Sequence, residues 1–207
     1  HGNDVAQEID RVVQIKRGHA IDKVLASRAG AGYQESTRSV PTNDGEGVEQ
    51  NYEAALAYYR QAALKGLPRA ETNTGLMYLE GLGTDRDPIA ASAWLLRAAQ
   101  HGDARGAYNL GKLHESGQLG DPPDYAAAVT YYQQASDADY PLASVALGYL
   151  VQNGYGTTAD PAYAARLYQY AADNGIAQAQ LNLAMLYEDG LGVTQDFAQA
   201  MKTVADI

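Results

Sequence analysis

Four aspartates, Asp87, Asp124, Asp160 and Asp196, have the residue type for metal binding or acid–base work. Such chemistry requires carboxylates that converge on one substrate or ion. These are spaced 37, 36 and 36 residues apart, an interval regular enough to mean one local duty repeated four times. Pro88 and Pro161 directly follow two of them, which puts proline at the first helical position behind a capping carboxylate. We read the series as helix N-caps, each worth roughly 1 kcal/mol. The histidines are His1, His19, His101 and His114. No two of them stand three or four apart, the spacing by which one helix presents two ligands to a metal. The chain has no cysteine, which removes disulfides, thiolate metal sites and a thiol nucleophile. No Gly-x-Ser-x-Gly turn occurs either. The sequence therefore predicts no catalytic, cofactor-binding or metal site.

The elements that carry these residues follow from a repeat. Gly75, Gly111, Gly148 and Ala184 index leucine-rich segments at intervals of 36, 37 and 36 residues, and a glycine follows each by six (Gly81, Gly117, Gly154, Gly190). The extra residue falls in the loop at 118–122. Four residues after each aspartate comes alanine (Ala91, Ala128, Ala164, Ala200), with Ala55 in an earlier copy that starts at Asn51. Aromatic or leucine pairs follow seven and eight after, and alanine again eleven after at Ala98, Ala135 and Ala171. Offsets of four, seven, eight and eleven mark one face of a helix. Fifteen residues after the start the chain reaches Gly66, Gly102, Asp139 or Gly175, where a left-handed residue ends the helix. Each unit is thus two antiparallel helices, A (70–80 in the first full copy) and B (87–100). A lone hairpin leaves its apolar faces uncovered, so copies must stack.

The run Asn182-Leu183-Ala184-Met185-Leu186-Tyr187, then Gly190-Leu191-Gly192-Val193 and Asp196, resembles the Sel-1-like repeat, a relative of the tetratricopeptide repeat with a longer loop. The resemblance covers 45–207. Thr74 replaces a leucine of the pattern, His114 and Val151 replace the tyrosine of Tyr78 and Tyr187, and Ser136 breaks an Ala-Ala pair. The resemblance implies an all-α fold, a right-handed superhelical solenoid of about five antiparallel hairpins. We expect a single domain over 1–207, with divergent helices in 1–29 (6–17 resembling a B helix, then a short A-like one), an inserted loop at 30–50, and regular repeats over 51–207, the last truncated. The start at His1 and the end inside the last B helix read as those of a trimmed chain.

In tetratricopeptide-like solenoids the A helices line the concave face, so the resemblance implies a groove there. Its candidate residues are Asn73, Leu76, Asn109, Lys112, Tyr149, Asn153, Asn182 and Met185, continued by Glu80, Ser116 and Asp189. An asparagine both donates to and accepts from an extended peptide backbone. Equally, these asparagines could hold the backbone of a neighbouring repeat. His114, standing in a tyrosine position, is expected to pack at the hairpin interface. Tyrosine is abundant, sixteen residues against one Phe and one Trp; Tyr33, Tyr149 and Tyr155 have no repeated position and are contact candidates.

Fifteen Lys plus Arg against twenty-five Asp plus Glu leave a formal charge of −10. That disfavours nucleic acid and anionic membranes, which need a basic footprint, and no apolar run is long enough to span a bilayer. The expected function is a non-enzymatic scaffold or adaptor that binds another protein through the groove. The alternative is an immunity protein that neutralises a secreted bacterial toxin, such as a phospholipase effector, and the acidic charge suits a basic partner. An enzyme is the weakest reading, because the ionisable groups are spread along the chain. The resemblance points to the periplasm or cell envelope, with the cytoplasm as the alternative.

Overall fold

The computed structural model describes residues 51–120 and 122–205. The helices expected within 1–29 and the loop at 30–50 lie outside the described residues. Two compact units divide the chain, 1–58 and 59–207. Among the described residues the helices are α1 (Tyr52–Leu64), α2 (Pro68–Glu80), α3 (Pro88–Gln100), α4 (Ala104–Ser116), α5 (Tyr125–Asp137), α6 (Pro141–Asn153), α7 (Pro161–Asp173), α8 (Ala177–Asp189) and α9 (Phe197–Val204), with no strand. The unit boundary falls within α1, and α2 to α9 all belong to the second unit. α2, α4, α6 and α8 are the A helices; α3, α5, α7 and α9 are their B partners. Each A helix packs on its own B helix and each B helix on the next A helix, and α2 also touches α4. The result is an all-α solenoid.

The aspartates cap the B helices as expected. Asp87, Asp124, Asp160 and Asp196 accept from the backbone N–H of Ala90, Ala127, Tyr163 and Gln199, each at 2.9 Å. Their own N–H groups do a second job. They donate to the carbonyls of Tyr78, His114, Val151 and Tyr187 at 2.8–2.9 Å, closing each A-to-B loop onto the A helix. Main chain makes this closure, so the side chain there is free to be Tyr, His or Val. The longer loop before Asp124 keeps the bond to His114 despite its extra residue. Among the A helices, α4 is capped by Asp103, which accepts from Gly106 N–H at 2.7 Å. α2 and α6 begin instead with Pro68 and Pro141, whose fixed φ suits the first turn. At the B-to-A corner Asp139 takes φ 56°, the left-handed conformation glycine holds in the other copies.

The core is a ladder of small residues against large ones. Ala91, Ala98, Ala128, Ala135, Ala164 and Ala171 are fully buried and let the helices approach closely. Into that space go Leu95, Tyr132 and Tyr168, also fully buried. Opposite them stand the index glycines. A β-carbon on Gly75 would lie 2.8 Å from Leu95 Cγ, on Gly111 2.7 Å from the Tyr132 ring, and on Gly148 2.6 Å from Tyr168 Cε1. The tyrosine hydroxyls are satisfied inside the same hairpin, by Glu115 Oε2 for Tyr132 and by Gln152 Oε1 at 3.0 Å for Tyr168. Successive B helices are tied by polar side chains: Gln134 Nε2 donates to Ala99 O at 2.7 Å, and the Tyr170 hydroxyl to Asp139 Oδ1 at 3.2 Å.

Candidate protein-binding face

The A helices project three classes of side chain from their outer positions. Lys112, Tyr149, Asn153 and Met185 are exposed; Asn73, Asn109 and Asn182 are half-buried; Leu76 is only 6% exposed, so the first copy presents no apolar side chain at this register. Two asparagines bond neither a neighbouring repeat nor open space. Asn109 Nδ2 donates to Arg105 O and Asn153 Nδ2 to Tyr149 O, both at 2.8 Å, four residues back on their own helices. Asn182 accepts from Gln178 Nε2 at 2.8 Å within its helix and also hydrogen-bonds the Tyr168 side chain of the preceding hairpin. The reason is proximity: a carbonyl one turn back has a spare lone pair within reach of a short amide side chain.

Sequence reasoning missed part of the surface that is exposed here. Leu142 and Leu181 are 42% and 46% exposed on α6 and α8, the helices that carry Tyr149 and Met185 at 49% and 53%. Position by position, Leu142 stands where α2 and α4 carry Arg69 and Arg105, and this change from cation to leucine was visible in the sequence. Tyr155, in the loop after α6, stacks on Tyr125 with ring centroids 5.2 Å apart and planes at 24°, and meets the Tyr149 ring at a tilt of 52° and 6.0 Å. His114 stacks on Tyr131 at 5.4 Å, the packing role expected of it.

The charge is divided along the solenoid. Residues 59–112 hold seven Lys plus Arg and five Asp plus Glu, a balance of 7 − 5 = +2; residues 113–205 hold two and ten, 2 − 10 = −8. Neither α6 nor α8 contains a lysine or arginine.

A second polar cluster resembles catalytic machinery. The Glu71 carboxylate is fully buried, with Oε2 2.7 Å from His101 Nδ1 and Oε1 3.1 Å from Arg97 Nη2. The Arg97 guanidinium also lies over Trp94 at 4.9 Å. This cluster joins the start of α2 to the end of α3 and leaves the carboxylate no exposure to solvent, so it works as a clasp. The equivalent places in the next two copies hold Ala107 and Ser144. Among the described residues no group of three or more His, Cys, Asp or Glu is placed to hold a metal ion. The largest shifts in acidity belong to two core tyrosines. Burial pushes the Tyr168 hydroxyl up to about 12, and burial with the Glu115 hydrogen bond pushes Tyr132 up further. Tyr108 is raised by burial and by its neighbours Tyr140 and Glu115.

A layered stack of helix hairpins, each packed on the next, defines an α-solenoid. The chain belongs to the Sel1 repeat family, whose model matches residues 43–67, 68–103, 104–140, 141–176 and 177–202. Sel1 repeat proteins are typically non-enzymatic and bind other proteins. Among solved structures it is similar to a protective antigen of uropathogenic Escherichia coli displaying an SLR fold, at 36% identity and TM-score 0.72 over 79% of this chain and 35% of that one. It is also similar to a Sel1 repeat protein from Oxalobacter formigenes, at 31% identity and TM-score 0.71 over 79% and 68%. An immunity protein from Pseudomonas aeruginosa shares the fold at 19% identity and TM-score 0.50 over 74% and 56%. The chain thus spans about a third of the length of the E. coli antigen. A search of curated proteins returned no match.

Proposed function

We propose that this chain is a scaffold that binds one protein partner along its A-helix layer. The observation that carries the reading is the exposed apolar strip of Leu142, Tyr149, Leu181 and Met185 on two adjacent A helices, side chains whose exposure serves no packing purpose within the hairpins. Sel1 repeats stack so that one layer of helices faces outward together, and a partner that covers this strip recovers the apolar surface. The test is affinity capture from the source organism with the wild-type chain and with a Tyr149→Ala/Met185→Ala variant, followed by hydrogen exchange on the complex. Capture that needs both residues, with protection on α4, α6 and α8, supports the reading. Protection confined to the B helices refutes it.

Inhibition of a basic toxin is the second reading. Its support is the formal charge of −10 together with the fold shared with the P. aeruginosa immunity protein. A captured hydrolase that loses activity when the chain is added would favour inhibition over scaffolding. The location we propose is the periplasm or cell envelope, with the cytoplasm as the alternative. No described helix is long and apolar enough to cross a membrane, and fractionation of the native protein decides the compartment.

A further inference from the structure

We propose that the surface of α6 and α8 receives an extended cationic segment of the partner, whose lysine or arginine side chains lie on the Tyr149 and Tyr155 rings while its apolar residues cover Leu142, Leu181 and Met185. The inference rests on the scaffold reading and adds the chemistry of the bound segment.

Four observations converge on it. Tyr155 is held between Tyr125, on which it stacks at 5.2 Å, and Tyr149 at 6.0 Å, so an exposed aromatic platform is already ordered. Such a platform immobilises little further on binding and accepts a cation on its face. Second, the chain uses cations on rings elsewhere: Lys112 Nζ lies 5.7 Å from the Tyr108 ring and Arg166 5.2 Å from Tyr163. In the repeat register, Tyr149 of α6 takes the place of Lys112, so a ring stands where the preceding A helix carries a cation.

Third, this half of the solenoid is acidic. Residues 113–205 carry a net −8, with Glu188 and Asp189 exposed at the end of α8. Fourth, α6 ends at Asn153 beside these rings, and the carbonyl end of a helix carries partial negative charge that favours a cation. An acidic segment would meet repulsion from all of these groups. A second copy would bring the same −8 surface against itself.

Three dye-labelled peptides of equal length test this, alternating leucine with arginine, glutamine or glutamate. Fluorescence anisotropy reads their binding to wild type, to Tyr149→Ala/Tyr155→Ala and to Tyr149→Phe/Tyr155→Phe, with thermal unfolding of each variant as the control for folding. The arginine peptide should bind best, weaken about tenfold on the alanine variant and stay within about twofold on the phenylalanine variant, because the ring face and not the hydroxyl receives the cation. Equal binding of the glutamine or glutamate peptide overturns the proposal. So does undiminished arginine-peptide binding to the alanine variant, which would mean diffuse charge attraction only. Concentration-dependent self-association that Tyr149→Ala/Tyr155→Ala abolishes would make a second copy the occupant and also overturn it. Failure of all three peptides, alongside a captured partner that protects α6 and α8 from exchange, removes the cationic segment and leaves the scaffold reading standing.

Discussion

Replacing Gly148 with alanine sets two effects of opposite sign against each other. In an exposed helix interior the change stabilises by about 1 kcal/mol, since alanine is the better helix former. Here the new methyl would sit 2.6 Å from Tyr168 Cε1 and 3.0 Å from Cδ1, against a comfortable carbon separation of about 3.5–4 Å. The ring must move by roughly 1 Å or the two helices must part. Neither is easy, because Tyr168 is fully buried and its hydroxyl donates to Gln152 at 3.0 Å. Overpacking of this kind costs about 1–3 kcal/mol. The net is a loss of about 1–2 kcal/mol, which at about 3 °C per kcal/mol lowers Tm by roughly 3–6 °C. Thermal unfolding followed by circular dichroism measures it. The fourth repeat supplies the compensating pair, since alanine already stands at Ala184 and Val204 takes the tyrosine's place in the register. Gly148→Ala combined with Tyr168→Val should therefore be more stable than the two separate losses predict, by about 1 kcal/mol or more. A Tm that rises in the single variant would show that helix propensity wins and that the close approach is not a constraint.

Asp160→Ala removes the bond to Tyr163 N–H and should cost about 1 kcal/mol in urea unfolding, with Asp160→Asn recovering most of it. Tyr168 is raised to about 12 by burial while in the unfolded chain it titrates near its ordinary 10.0. The neutral form is thus favoured by folding, its contribution is whole below pH 10.0, and about 3 kcal/mol is lost as pH rises from there to about 12. Alkaline unfolding monitored by tyrosinate absorbance should fall in that window, and Tyr168→Phe should move the transition to higher pH. Removing both partners of Glu71 in Arg97→Ala/His101→Ala should cost about 3 kcal/mol by leaving a buried carboxylate unpaired. Glu71→Ala should stay within about 1 kcal/mol of wild type, because the next two copies hold Ala107 and Ser144 at that place; equal losses in the two variants would refute the argument that the unpaired buried carboxylate sets the cost.

Much of the architecture is legible in the sequence because it is local and repeated. Capping by Asp87, Asp124, Asp160 and Asp196 involves a side chain and a backbone group three residues on, so residue type and spacing are enough to see it. The same holds for the left-handed corner at Asp139 and for the alanine stripe of the B helices. The candidate face was legible only in part. Tyr149, Lys112, Asn153 and Met185 are exposed, yet Leu76, at an equivalent register, is buried, and the amides of Asn109 and Asn153 are engaged on their own helices.

The sequence by itself determined the hairpin, its caps, its period and therefore the family, because each depends on neighbours within about one helical turn or on the recurrence of that unit. Only the tertiary structure decided which chemistry meets which. It set Glu71 against His101 thirty residues away, Gly148 against Tyr168, and Tyr155 between Tyr125 and Tyr149. Those pairings depend on how far apart two helices pack and where a loop returns on the preceding hairpin, distances that a periodic pattern along the chain does not encode.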